Sequence, residues 1–163
     1  MTDTWDGSRP ATDIFASIAD PVAWWATRYP DVPALAEGER VMTYGEADAR
    51  AGRLAETLAG RGLVAGDRFY IVGENGLATA LSVLAAAKLG AWAIPINARL
   101  SAGEIDAIRD HARPRLAIYT VSVSDEAAAH AARHGAGAVD SLDDLGATLA
   151  AFDDFDPPVD ESG

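Results

Sequence analysis

The chain has 163 residues, is 49% apolar, carries 13 Lys and Arg against 25 Asp and Glu, and contains no cysteine. That is length enough for one domain with a real core, and the missing cysteines exclude disulfides, thiolate catalysis and thiolate metal sites. The net charge of −12 is uneven: from His134 to Gly163 there are eight acidic residues and no Lys or Arg, whereas residues 1–133 carry 17 acidic and 13 basic groups. Neither part has the basic footprint of a nucleic-acid binder.

The opening MTDTWDGSRPATD has early acidic groups and no apolar h-region, so it reads as a polar leader over residues 1–19 and not as a signal peptide. Asp20-Pro21 predicts a helix start, with Asp as N-cap, and the helix runs to Arg28 before Pro30. Ile18, Val22, Trp25 and Tyr29 fall on one stripe; the Trp24-Trp25 pair is read as packing rather than as a binding platform. Ala34-Leu35-Ala36, the turn Glu37-Gly38-Glu39 and Val41-Met42-Thr43-Tyr44 predict a hairpin. Thr43-Tyr44-Gly45-Glu46 is a capping box, after which Ala47, Ala51, Leu54 and Leu58 mark one helical face. Gly60 to Gly66 imitates a dinucleotide fingerprint. Its last spacing is one residue too long, however, and the glycines follow a helix where a phosphate turn would precede one. They are read as a C-cap and turn.

The centre of the chain is Gly66 to Leu100. Phe69 to Val72 reads as a buried strand, Leu77 to Leu89 as a helix apolar on nearly every side and closed by Gly90, and Ala91 to Ile96 as a second strand. Strand, helix, strand implies a parallel pair. Leu77 to Ile96 is long enough to span a membrane, but Lys88, Gly90 and Pro95 interrupt it, so no span is expected. Ser101-Ala102-Gly103-Glu104 is a second capping box, opening a helix with Ile105, Ile108 and Ala112 inward and ending at Pro114. Leu116 to Tyr119 is the next strand, Ser124 to about His134 an alanine-rich helix, Ala138-Val139 a short strand, and Ser141 to Ala151 one more helix. Residues 152–163 are acidic with Pro157-Pro158, a linker composition. The fold class is α/β: a mostly parallel sheet flanked by helices, with an N-terminal helix and β-hairpin. The domain division is a leader over 1–19, the α/β unit over 20–151 and a linker over 152–163.

Chemistry-bearing groups are sparse. His130 and His134 share a helical face but lack an HExxH pattern and a third ligand; they are read as a solvated face, with no metal site. Lys88 admits a depressed-pKa base or a snorkelling stem, and the stem is preferred. No catalytic residue can be argued from spacing, and Asp153-Asp154 reads as a solubilising tail.

Taken in order, the segments resemble the start of the adenylate-forming superfamily of acyl- and aryl-CoA ligases, peptide-synthetase adenylation domains and beetle luciferases. The matching features are Pro33-Ala34-Leu35, then MTYGEADARAGRLAETLAGRGLVAGDR, Glu74-Asn75, Leu84 to Gly90, and Pro95-Ile96-Asn97-Ala98-Arg99-Leu100. The series covers about Asp20 to Leu149; Ala47 and Phe69-Tyr70 depart from the family's usual core residues. The resemblance implies a parent enzyme that uses ATP, Mg2+ and coenzyme A to convert a carboxylic acid to an acyl-adenylate and then a thioester, in the cytoplasm. It implies no cofactor for this segment alone, because the family's phosphate loop, adenine motif and C-terminal lysine have no counterpart here. Arg99 matches a position that in some aryl-CoA ligases contributes to the nucleotide end of coenzyme A; the alternative is a structural salt bridge. The segment is thus expected to be non-catalytic by itself, with self-association or a partner through an uncovered sheet. The alternatives are a non-catalytic α/β interaction module and, third, an unrelated nucleotide-binding domain.

Overall fold

The computed structural model describes residues 15–139, 143 and 145–157. Helix α1 (Asp20–Arg28) leads into a hairpin of β1 (Pro33–Glu37) and β2 (Arg40–Thr43), then α2 (Tyr44–Gly60), β3 (Arg68–Gly73), α3 (Leu77–Leu89) and β4 (Trp92–Asn97). Helix α4 (Ala102–Ala112), β5 (Leu116–Tyr119), α5 (Asp125–Arg133), β6 (Gly137–Ala138) and β7 (Thr148–Ala151) follow. The main sheet has the order β4-β3-β5-β7-β6. Strands β4, β3 and β5 are parallel, and β7 runs antiparallel to both β5 and β6. Four of the five strands therefore point one way, as the α/β reading requires.

Strand alternation divides the core in two. Phe69 and Ile71 of β3 and Leu116 and Ile118 of β5 pack with Leu54 and Leu58 of α2 and Leu81 of α3. Tyr70, Val72, Ala117 and Tyr119 turn to the other face, where Ile105 of α4 and Ala127 of α5 cover them. Every residue of β5 is buried, which is why its sequence shows no polar alternation. The sheet is thus covered on both faces at its centre, and the uncovered surface lies at its edge. There β4 carries Pro95, as an edge strand can, and Trp92 is 45% exposed.

Both capping boxes form: Thr43 with Glu46 on α2 and Ser101 with Glu104 on α4. Gly90 closes α3 in the left-handed conformation, φ 69°. Trp25 stacks on Tyr44 at 5.6 Å, so the aromatic pair does pack α1 onto α2. Among the described residues no helix is long and apolar enough to cross a membrane.

Four expectations are corrected. Ala19, not Asp20, is the N-cap of α1, and Asp20 instead accepts the Ser17 N–H at 2.9 Å. The helix expected over 141–151 is replaced at its end by β7. Gly146 has φ 60°, and the exposed flank of β5 pairs with Thr148–Ala151, so sheet pairing overrides alanine's helical preference; residues 140–142 and 144 lie outside the described residues. His130 and His134 are not a solvated face. His130 is buried and its Nε2–H donates to the carbonyls of Ala98 and Leu100 at 3.1 and 3.2 Å. His134 Nδ1 is bonded to the Tyr119 hydroxyl and Nε2 lies 3.2 Å from Asp106 Oδ1.

The fourth correction concerns Asp154, which does not simply solubilise a tail. Residues 152–157 lie against the body. Asp154 pairs with Arg109, and Asp156 lies 3.2 Å from Arg68 and 3.0 Å from Arg113. Phe152 and Phe155 sit under the guanidiniums of Arg109 and Arg115. The alternation of Phe and Asp reads as linker composition but serves four arginines. The leader residues 1–14 and the tail residues 158–163 lie outside the described residues.

Burial holds the His134 imidazole below the usual histidine range. Folding therefore favours the neutral ring, while the unfolded chain takes up a proton near pH 6.5. This group's contribution is present above that value and is lost as pH falls below it and through the lower folded value. In urea melts between pH 5.5 and 7.5, His134→Gln should flatten the rise of stability with pH; an unchanged slope would contradict the assignment.

Candidate functional site

In a parallel sheet the ligand crevice lies beyond the carboxyl ends of the strands, where connections leave in opposite directions. That point here is the end of β3. From β3 the chain passes through α3 to β4 on one side, then through α4 to β5 on the other. The loops after β3, β4 and β5 bring Glu74, Asn97, Arg99 and Ser122 to one end of the sheet.

Two shallow grooves meet at Glu74. One, of about 270 Å³, runs between Glu74, Asn75 and Thr79 and the end of β4 at Pro95 to Asn97. The other, of about 470 Å³, lies between Glu74 and Arg99 and the start of α5, Ser122 to Glu126. Glu74 is fixed on three sides: its N–H donates to Thr120 Oγ1 at 3.3 Å, its carbonyl accepts from Thr79 at 2.8 Å, and its carboxylate accepts from Arg99 Nε at 2.8 Å. Asn97 Oδ1 accepts the Arg99 N–H at 2.9 Å, and His130 secures the carbonyls on either side. The bond from Glu74 raises the Arg99 pKa further above its ordinary value.

Arg99 is thus a salt-bridged residue, yet its side chain is 71% exposed and among the described residues only Nε is engaged, which leaves the fork of Nη groups toward the groove. The surroundings are acidic: Glu74, Asp125 and Glu126 line the same groove. One phosphate oxygen suits the open fork; a cluster of phosphates would meet three carboxylates. Among the described residues no group of His, Asp and Glu could hold a metal ion. Lys88, read above as a snorkelling stem in preference to a base, donates to Asp48 at 2.7 Å and ties α3 to α2. The arrangement can bind and orient a ligand; the described residues present no paired nucleophile and base.

Sequence reasoning missed Glu37, Thr120 and Asp67. Glu37 reaches from the hairpin to accept the Leu77 N–H at 3.4 Å at the start of α3. Thr120 packs under Gly73. Asp67 is fully buried, accepts the Val64 N–H at 2.9 Å and pairs with Arg115. Only Asp67 left a signal, as the acid following Gly66 at a strand entry.

A helix-flanked α/β unit with a crevice at its strand ends is a framework on which many ligand-binding proteins and enzymes are built. Within that class the chain belongs to the AMP-binding enzyme family, whose model it matches over residues 22–160. It is 38% identical over 78 residues to the long-chain-fatty-acid–CoA ligase FadD13 of Mycobacterium tuberculosis, covering 48% of this chain and 16% of that protein. It is 33% identical over 119 residues to a feruloyl-CoA synthase of Amycolatopsis sp, covering 71% and 24%. Among solved structures, the Mycobacterium tuberculosis fatty acyl CoA synthetase superposes with a TM-score of 0.67 at 29% identity, covering 79% of this chain and 28% of that one. The chain therefore spans well under a third of the length of these relatives. The adenylate-forming resemblance and the α/β fold both hold.

Proposed function

We propose that this chain is the N-terminal part of an ATP-dependent carboxylic acid:CoA ligase. The observation that carries the reading is the family match over nearly the whole chain, with relatives that ligate coenzyme A to aliphatic and aromatic acids. In the parent, bound ATP with Mg2+ supplies the activated phosphorus and coenzyme A the acceptor thiol. The role of this segment is to support that site from the N-terminal side, in the cytoplasm. The division into a leader over 1–19 and an α/β unit from residue 20 belongs to the same proposal, with the packed segment 152–157 counted in the unit and not in the linker. Arg99 is its candidate contact for a phosphate of coenzyme A, oriented by Glu74 and Asn97. Electrostatic stabilisation of a transferring phosphoryl group needs several preorganised donors, and one arginine among three carboxylates does not provide them. Pyrophosphate exchange by the isolated chain with ATP and a panel of fatty and aromatic acids should therefore stay at background. Robust exchange would overturn the reading.

A second reading, a free-standing interaction module, is favoured by one observation: the central strands are covered on both faces within this chain. A stable monomer or a defined complex in light scattering supports the module, and soluble aggregate supports a piece that needs the rest of its parent.

A further inference from the structure

Arg99 sits in a tight turn whose shape is set from elsewhere in the chain. Within the turn, the Leu100 N–H donates to the Asn97 carbonyl at 3.2 Å and the Arg99 N–H to Asn97 Oδ1 at 2.9 Å. These bonds leave the carbonyls of Ala98 and Leu100, on either side of Arg99, without a backbone donor among the described residues. Ala98 is fully buried, so its carbonyl needs a partner from the protein and not from water.

His130, in the second turn of α5, is that partner. Its Nε2 lies between the two carbonyls at 3.1 and 3.2 Å. Both neighbours are acceptors, so Nε2 carries the hydrogen. Across the ring, Nδ1 lies 3.2 Å from Arg133 Nη1, a group that can only donate. The two sets of contacts together select the neutral ring with its hydrogen on Nε2. Arg133 is itself held by Asp106 of α4, which also meets His134 Nε2 at 3.2 Å. His130 is 5% exposed, so a ring turned over, or a donor removed, leaves buried carbonyls without a partner and frees the turn to move.

From this geometry we infer that His130 is a positioning residue for Arg99: its Nε2–H fixes the turn that holds the guanidinium opposite Glu74 and presents the Nη fork to an incoming phosphate. The inference rests on the reading of Arg99 as a contact for a phosphate of coenzyme A. Glu74 grips the side chain at Nε, 2.8 Å away, and Asn97 takes one backbone N–H. Neither holds the peptides that flank Arg99, and a turn free to rotate about them would carry the guanidinium away from both. The planar fork meets phosphate oxygens only in a set orientation, so a contact made by one arginine tolerates little of that drift.

The test reads the Arg99 Nε–H in nitrogen-edited spectra of the full chain at pH 7.5, its resonance identified by its loss in Arg99→Lys. His130→Met removes the donor and keeps much of the volume, whereas His130→Gln returns an N–H donor of similar reach. Exchange of the Arg99 Nε–H should be about fivefold faster in His130→Met, the ratio that matches a hydrogen bond of ordinary net strength. In His130→Gln it should stay close to that of the unaltered chain. Coenzyme A should move the Arg99 resonance in the unaltered chain and in His130→Gln, and much less in His130→Met. The His130 nitrogens of the unaltered chain should read as protonated at Nε2 and bare at Nδ1. Unchanged exchange in His130→Met, equal acceleration in both variants, or a hydrogen on Nδ1 would each overturn the assignment; equal acceleration would make the ring a packing element. Coenzyme A that leaves Arg99 unmoved in the unaltered chain would instead overturn the phosphate reading, while exchange and tautomer still decide for or against His130. The tautomer is measured without substitution, so it decides even where a variant folds poorly.

Discussion

Arg115→Met is expected to lower stability by about 3 kcal/mol, read as a shift in urea midpoint without change of slope. Asp67 is 0% exposed and Arg115 is its one charged partner among the described residues. Asp67 Oδ2 also accepts the Val64 N–H at 2.9 Å, while Oδ1 is buried without a partner. The carboxylate is therefore already short of hydrogen bonds, and Arg115 supplies the compensating charge. Methionine keeps much of the stem volume, so the loss comes from an unpaired buried charge rather than from a cavity. The same substitution releases the stacking of Arg115 on Phe155 at 3.7 Å, so segment 152–157 should gain protease sensitivity. Replacing Asp67 with Asn alongside Arg115→Met should restore part of the stability, because no charge then remains buried. A double variant as unstable as the single would show that the pair matters through packing alone.

The elements legible in the sequence were those governed by local rules. The capping boxes at Thr43 and Ser101, the left-handed Gly90 and the buried runs Phe69–Val72 and Leu116–Tyr119 each carry their own signal within a few residues. What failed to show was set by partners distant in sequence. Leu149 and Ala150 become a strand because β5 presents an open edge, and nothing within residues 141–151 announces it. His130 is buried because the loop after β4 offers two carbonyls 30 and 32 residues earlier. The Phe-Asp alternation of 152–156 looks like linker until Arg68, Arg109, Arg113 and Arg115 are assembled from β3, α4 and the loop between α4 and β5. At the crevice, Arg99 could be singled out by resemblance, but Glu74 as its partner required the two strand ends to lie side by side.

These distant contacts also explain why the acidic character of the chain is compatible with a compact body. Two of the eight acidic residues among the last thirty are set against arginines of the body. Within the fold, Asp154 and Asp156 neutralise arginines that would otherwise crowd one end of the sheet, Phe152 packs on the core layer of α4 and β5, and Phe155 lies under Arg115.

Gly73→Ala is the second substitution with a large expected effect, about 3 kcal/mol. Gly73 ends β3 at the point where the chain turns into the Glu74 crevice, and its backbone is held in register with Asn97 of β4. A Cβ there would lie 2.8 Å from Thr120 Cγ2 and 2.9 Å from Thr120 Cβ, with Oγ1 closer still. Thr120 cannot yield cheaply. It is buried, its N–H donates to the Val72 carbonyl at 3.1 Å, and its hydroxyl accepts the Glu74 N–H. The clash would push apart β3 and the residue following β5, and the displaced Glu74 would release Arg99. Thermal melts should show the loss directly, and Arg99 Nε–H should gain exchange rate in nitrogen-edited spectra. Combining Gly73→Ala with Thr120→Ala removes Oγ1 and Cγ2 and should recover part of the stability, while Arg99 exchange stays fast because Glu74 has lost its Thr120 anchor. Full recovery of both properties would mean that Thr120 only fills space; no recovery of either would place the strain in the β3–β4 register instead.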